Sequence, residues 1–227
     1  MRHKKIILCA LGIMLFFCPA VQAENSVIEF RLVGGISNPS VLDPNTYLRG
    51  YSRYLHDYAR VQGLAFAGEL ETLGLGIDFQ GEIILRLSGR IGLGLGVGYS
   101  RVQKKGQMVT MSSSFNTVQV TMNNQGSIIP LLINGYYFLP FSSRVRLSLA
   151  AGIGYYLADW TYTRGLVQVV GGARGADTDH YEVRSRKLGY QAGIGLEWDI
   201  FRRLSLVLEG FGRYARLEDF SGDWSYT

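Results

Sequence analysis

The chain has 227 residues, 47% of them hydrophobic and 18% charged, and a formal net charge of +5. Its length suits one domain. No run reaches the roughly 18 uncharged apolar residues that a membrane-spanning helix needs. Both cysteines, Cys9 and Cys18, lie in the leader predicted below, so disulfides and cysteine-based metal sites are excluded from the rest of the chain.

Residues 1–23 have the features of a secretory signal peptide. A basic start precedes an apolar run over residues 6–17, and Val21 and Ala23 occupy the −3 and −1 positions of a cleavage site before Glu24. Removal of three basic residues and no acid lowers the net charge from +5 to +2, too little to indicate a nucleic-acid partner. We therefore expect an exported domain over residues 24–227, which would enter a membrane only as a barrel.

Seven later segments alternate with a period of two between large apolar residues and glycine or polar residues. In residues 91–99 every second residue is glycine and the others are large and apolar. A continuous apolar face is typical of a strand with lipid outside and a crowded lumen inside, whereas a soluble strand shows a polar face to water. The predicted strands cover residues 27–36, 70–87, 90–102, 127–138, 145–160, 188–200 and 204–216. Both faces of the fourth are apolar, and Pro130 predicts a bulge in it.

The connections between these strands alternate in length. Those at residues 88–89, 140–143 and 201–203 are short, as periplasmic turns are, and the others are long, as outer loops are. Aromatic residues near the strand ends predict two interfacial girdles. The lower girdle comprises Phe138, Trp198 and Phe201, and the upper one Tyr99, Tyr155, Trp160, Tyr190 and Tyr214.

The first long connection also contains a helix signal. Asp43 before Pro44 resembles a helix cap followed by a first-turn proline. The residues that then recur at helical spacing are Tyr47, Tyr51, Tyr54, Leu55 and Tyr58. We expect a short amphipathic helix that caps the lumen or lies on the barrel wall. We interpret it as a self-packed loop helix, with a ligand platform as the alternative.

These elements predict an all-β fold, a transmembrane antiparallel up-and-down β-barrel. Single-chain bacterial barrels have even strand numbers and no free edges, so eight strands are expected although seven are readable. We therefore expect the chain to lack its last strand. The alternative is that two strands lie in residues 109–122 and 166–170, which otherwise form loop hairpins.

The polar faces of the strands carry charges of both signs, which must be paired or hydrated in an interior. They predict a network that fills the lumen, with a narrow polar pore as the alternative. The set is Glu29, Arg31, Asp78, Gln80, Glu82, Arg146, Gln191, Glu197, Glu209 and Arg213.

Candidates for chemistry are few. His180 lies in an acidic segment, residues 177–182, and a site with Ser185 or a bound calcium ion is conceivable there. No recognisable motif supports either, and the glycines of residues 92–98 lack the spacing of a phosphate loop. We predict no catalytic residue, no metal site and no cofactor.

The segments at residues 81–100, 129–140 and 145–156 resemble the bacterial outer membrane protein beta-barrel domain family, the mostly eight-stranded barrels of the OmpA, OmpX and OmpW types. The resemblance implies a Gram-negative outer-membrane location and a role in envelope integrity, adhesion or minor solute passage. It provides no catalytic residues to transfer. It also implies contact with the barrel-assembly machinery during insertion and with outer-membrane lipids.

Lipopolysaccharide phosphates are the obvious anionic neighbours of the basic residues in the outer segments, since arginine pairs with them bidentately. Ordinary solvation of these residues is the alternative. The candidate contacts are Lys104, Lys105, Arg184, Arg186 and Lys187. The function predicted is therefore non-enzymatic, structural or surface-interacting, with a narrow solute channel and a surface lipid-modifying enzyme as alternatives.

Overall fold

Antiparallel strands make up most of the protein. The computed structural model describes residues 12–18, 28–38, 42–201, 204–215, 217 and 221–226. The elements in these ranges are β1 (Gly12–Cys18), β2 (Ile28–Ser37), α1 (Leu42–Val61), β3 (Ala65–Gly68), β4 (Gly76–Arg86), β5 (Ile91–Ser112), β6 (Asn116–Pro140), β7 (Val145–Val170), β8 (Ala173–Phe201), β9 (Leu204–Ala215) and β10 (Ser221–Tyr226). The predicted all-β fold, with a helix in the first long connection, is confirmed.

Eight of the strands follow one another in an antiparallel up-and-down order. β2 pairs with β4, and the pairing continues through β5, β6, β7 and β8 to β9. β1 then pairs with β9 along Gly12–Cys18 and with β2 at Ile13 and Ile36. The pairings therefore return to their starting point, as in a barrel that leaves no free edge.

The strand between β9 and β2 comes from a part of the chain that the sequence assigns to the leader. β1 spans Gly12–Cys18, within the predicted signal peptide. Seven of the eight barrel strands match the predicted ones, and β1 holds the place of the eighth. The predicted cleavage site before Glu24 lies outside the described residues, so cleavage stays a prediction.

Four strands are longer than predicted. β5, β6, β7 and β8 contain 22, 25, 26 and 29 residues, well above the 9–11 that cross a bilayer. The segments predicted as long loops, residues 103–126 and 161–187, are therefore mostly extensions of these strands. Apolar residues at alternate positions, such as Val109 and Met111, explain the extension because they bury one face. The extended part of the sheet gains one short strand on each side, because β3 pairs with β5 and β10 pairs with β8.

The bulge predicted at Pro130 does not form. The β5–β6 register is the same on both sides of Pro130, and Pro130 pairs with Tyr156 in β7 without a shift. Gly98 explains this, because a side chain there would lie 2.9 Å from the proline ring. The register shift in this pair lies instead between Lys104 and Gln107.

Side chains alternate between an inner, buried face and an outer, exposed one. Trp198 and Tyr190 of the predicted girdles face outward, as do Tyr99 and Tyr155. Phe138 and Trp160 are fully buried instead. Phe138 stacks on Tyr136 inside the barrel, and the ring of Trp160 covers Gly126, where a side chain would meet it at 1.9 Å. These two aromatics are therefore core residues.

Helix α1 closes one end of the interior. Its buried residues, Leu48, Leu55 and Ala59, pack in an apolar cluster with inner-face residues of the strand extensions. Arg164 of β7 fixes the helix laterally, with its Nη1 3.3 Å from the Tyr51 hydroxyl. The interior therefore has two layers, an apolar one around α1 and a polar one at the other end.

Candidate functional site in the barrel interior

The ten polar residues predicted to face the lumen all lie on the inner face of the strands. Nine are buried, and Arg146 keeps 18% of its side chain exposed. Hydrogen bonds and ion pairs connect them in three groups. The alternation of the strands explains this placement, since one parity of each strand faces inward.

The first group centres on Arg31. One of its terminal nitrogens pairs with Glu197 and lies 3.4 Å from Glu29 Oε1, and the other lies 3.9 Å from Glu209. The guanidinium carbon lies 5.1 Å from the ring centroid of Tyr136. One buried arginine therefore faces three carboxylates, and this pairing compensates for their removal from water.

Two further arginines complete this group near the open end of the barrel. Arg86 Nη2 lies 2.6 Å from Glu29 Oε2. Arg146 Nη2 lies 3.2 Å from Glu197 Oε2 and 3.3 Å from Asp199 Oδ1. The side chains of Arg86 and Arg146 are 15% and 18% exposed, so they form the solvent-facing side of the group.

The second group centres on Arg213, which binds four inner-face residues. Its Nη1 donates to Asp78 Oδ2 at 2.6 Å, its Nη2 to Gln80 Oε1 at 2.6 Å and its Nε to Gln191 Oε1 at 3.2 Å. The Ser100 hydroxyl accepts from Arg213 Nη1 at 3.3 Å and donates to Asp78. The guanidinium is thus held by partners on β4, β5 and β8.

The third group surrounds Glu82, whose two oxygens accept from neutral donors. Asn134 Nδ2 donates to Oε1 at 2.7 Å, and the Tyr136 hydroxyl donates to Oε2. Gln191 Nε2 donates to Asn134 Oδ1 at 2.8 Å, which joins this group to that of Arg213. The contacts link inner-face residues of seven strands, β2 and β4 to β9, although buried atoms such as Arg31 Nε and Asp78 Oδ1 have no hydrogen-bond partner among the described residues. This linkage supports a structural network more than a pore.

Five residues of these groups were not predicted from the sequence. Arg86, Ser100 and Asp199 lie in predicted strands with inward parity, so alternation alone could have found them. Asn134 and Tyr136 lie in the strand of residues 127–138, where two apolar faces hide the inward one. The predicted inward position of Glu82 did not indicate which residues of that strand would bind it.

The five predicted lipopolysaccharide contacts do not form one cluster. Arg184 and Arg186 lie on the outer face of β8, whereas Lys187, by alternation, lies on the inner face. Lys104 lies on β5, with β6 and β7 between it and β8, and it pairs with Glu71. Arg184 contacts Asp159 at 3.4 Å. Of the five predicted contacts, Arg184 and Arg186 thus share the outer face of β8.

The candidate hydrolase pair is not assembled. Ser185 is buried on the inner face of β8, and His180 lies on the outer face, where its Nδ1 contacts the Thr163 hydroxyl at 3.1 Å. Opposite faces of a strand cannot bring these two side chains together. Among the described residues, no group of three or more His, Cys, Asp or Glu side chains is arranged to hold a metal ion.

Comparison of the chain with protein-family models, with curated proteins and with solved structures finds no match. The resemblance to small bacterial outer-membrane barrels therefore stays a prediction from the sequence. In the described part of the chain, no helix combines the length and the hydropathy that crossing a membrane requires.

Proposed function

We propose that this protein is a non-enzymatic outer-membrane β-barrel with a structural or surface-interaction role in the cell envelope. The observation that carries the proposal is that charged residues are buried inside the barrel while large apolar residues are exposed on its outer face. Arg31, Glu197 and Asp78 are buried, while outward residues such as Ile133 and Leu95 expose 48% and 59% of their surface. A water-soluble surface does not present apolar residues in such a contiguous band, whereas a lipid-facing one does.

The height of the apolar band supports the same conclusion. The outward residues are apolar over residues 91–99 of β5, 129–139 of β6 and 147–157 of β7. These lengths match the 9–11 tilted residues that cross a bilayer. Beyond the band most outward residues are polar, as with Gln119 on β6 and Thr163 on β7. The strand extensions therefore project from the membrane on one side.

A narrow solute channel is the second candidate, favoured by the polar interior. The closed network and the apolar cluster under α1 argue against it, because together they fill both layers of the interior. Liposome swelling separates the two functions. Swelling in arabinose faster than that of protein-free liposomes would favour the channel.

The membrane proposal predicts opposite behaviour for two positions on the outer face of β6. Ile133→Arg, within the apolar band, should lower the stability of the folded barrel by about 2–4 kcal/mol, because lipid solvates the charge poorly. Gln119→Arg, on the same face beyond the band, should change it little. Urea unfolding in phospholipid vesicles, followed on heat-modifiability gels, measures both. Equal tolerance of the two arginines, as expected on a water-facing surface, would contradict the proposal.

Outer-membrane lipids are the proposed partners, lipopolysaccharide among them, with the barrel-assembly machinery acting during insertion. Arg184 and Arg186 face outward just beyond the band residues Leu188 and Tyr190, at the level of lipid phosphates. Arg184→Gln with Arg186→Gln should lower the lipopolysaccharide that co-purifies with the barrel several-fold, since arginine pairs bidentately with phosphate. Arg90→Gln with Arg144→Gln, in the opposite turns, is the control. Unchanged co-purification would exclude this contact.

A further inference from the structure

Helix α1 carries three stripes of side chains, each at helical spacing. One is buried against the strand extensions and contains Leu48, Leu55 and Ala59. The two others flank it and are exposed, except for Tyr51, which is half-buried against the same cluster. The tyrosine stripe comprises Tyr47, Tyr51, Tyr54 and Tyr58, and the basic stripe comprises Arg49, Arg53, His56 and Arg60. The exposed side of the helix thus presents aromatic rings along one flank and positive charge along the other.

The basic stripe has little internal compensation. Neither Arg49 nor Arg53 forms an ion pair with a described residue, and Arg49 Nε donates only to the Asn45 carbonyl oxygen, at 3.3 Å. Arg60 lies 3.4 Å from Asp57, a contact between exposed side chains that contributes little. Arg49 and Arg60 are separated by about 16 Å of helix. The stripe therefore offers an extended row of positive charge to an anionic partner.

The tyrosine stripe is ordered by contacts within it and with the wall. Successive ring centroids lie 5.9, 6.2 and 6.4 Å apart along Tyr47, Tyr51, Tyr54 and Tyr58. The ring of Tyr162 meets that of Tyr47 edge-on at 6.0 Å. Burial, with the neighbouring Tyr51, raises the pKa of Tyr47, so its hydroxyl stays protonated. The rings stack on one another, and Tyr47, Tyr54 and Tyr58 remain exposed, so this flank presents ring edges and neutral hydroxyl groups together.

The position of α1 separates both stripes from the lipid surface. The helix packs in one cluster with Val109 and Val120, which lie in the strand extensions beyond the apolar band. Gly50 and Asp57 lie between the two stripes. Gly50 has no neighbour within 4 Å of an added Cβ atom, and the exposed Asp57 carboxylate is paired with Arg60 of the basic stripe. A partner from the aqueous phase can therefore lie along the helix and touch both flanks.

We propose that the exposed side of α1 binds an acidic polysaccharide, with sugar rings on the tyrosine stripe and carboxylate or sulfate groups on the basic stripe. Each sugar unit of such a chain supplies an apolar ring face, hydroxyl groups and a charge. Arginine pairs bidentately with carboxylate-like groups, and tyrosine provides flat apolar area with a hydrogen-bonding tip. This binding rests on the proposed surface-interaction role and names its ligand class.

The test measures binding of fluorescein-labelled heparin to the purified full chain in detergent at 0.15 M NaCl, with labelled neutral dextran as comparison. Heparin should bind and dextran should not. Arg53→Gln with Arg60→Gln should weaken heparin binding about tenfold. Tyr54→Ala with Tyr58→Ala should weaken it several-fold. Arg90→Gln with Arg144→Gln removes the same charge from the opposite turns and should change binding less than twofold.

Absence of heparin binding would overturn the proposal, as would equal losses in the helix and turn arginine variants, which would indicate nonspecific charge attraction. Stronger, arginine-dependent binding to phosphatidylglycerol vesicles would make this face a lipid contact instead. A heat-modifiability gel on each preparation shows whether the barrel has folded. Failure of ligand binding in a folded barrel is thus distinguishable from failure of the barrel itself.

Discussion

Replacing Arg31 with methionine is expected to lower the free energy of unfolding by about 3–5 kcal/mol. Arg31 is 1% exposed and faces Glu29, Glu197 and Glu209. Its removal leaves carboxylates buried without their main counter-charge, and such a loss costs more than the pair itself contributes. Urea unfolding in phospholipid vesicles, followed by tryptophan fluorescence, measures the change.

Two variants test whether that loss comes from the uncompensated charge. Arg174→Met removes an exposed arginine near the tip of β8 and should change stability by less than about 0.5 kcal/mol. Glu197→Gln added to Arg31→Met should recover part of the loss, because one of the stranded charges is gone. A loss under about 1 kcal/mol for Arg31→Met would show that water reaches the group and that the interior is open.

Replacing Leu55 with aspartate is expected to release α1 from the barrel while the strands stay paired. Leu55 is 4% exposed in the apolar cluster, and an unpaired carboxylate there costs several kcal/mol. Trypsin should then cut after the arginines of α1 roughly a hundredfold faster, because cleavage follows the population of the open form. Timed digestion of the folded barrel, read by mass spectrometry, measures the rate.

The neighbouring residue provides the matched control. Tyr54 is 60% exposed on the same turn, so Tyr54→Asp adds the same charge without burying it. Its cleavage rate should stay within a few-fold of that of the unmodified chain. Similar acceleration in both variants would show that helix propensity, not docking of α1, protects these sites.

Strand alternation predicted the fold because this barrel separates its residue types so completely. In residues 91–99 glycine alone lies opposite the apolar side chains, so the two faces of the strand are distinct in the sequence itself. The same parity placed Glu29, Asp78 and Arg213 on the inner face, where the structure has them. The helix was predictable from tyrosine spacing, whereas the basic stripe beside the tyrosines was not singled out from the sequence.

The failures have local physical reasons. Residues 127–138 are apolar on both faces, because Leu132 packs under the helix layer while Ile133 faces outward, so parity could not place Phe138. Trp160 has the same inward parity as Gly152 and Gly154, but it was predicted in the upper aromatic girdle because tryptophan is common at membrane–water interfaces. The strand extensions were predicted as loops because their outer faces are polar. Their alternate residues are buried through contact with α1, and nothing in the sequence indicated that contact.

The barrel wall is uneven in height, so one side of the molecule differs from the other. β5, β6, β7 and β8 continue past the apolar band, whereas β2, β4 and β9 end close to it. Among the described strands, the wall beside α1 is thus lowest at β2, β4 and β9, which is the side from which a long polymer would reach the helix. In a crowded membrane, rotation of the barrel about the membrane normal would decide which neighbours come within reach of the helix, so the contacts of a single copy would be directional.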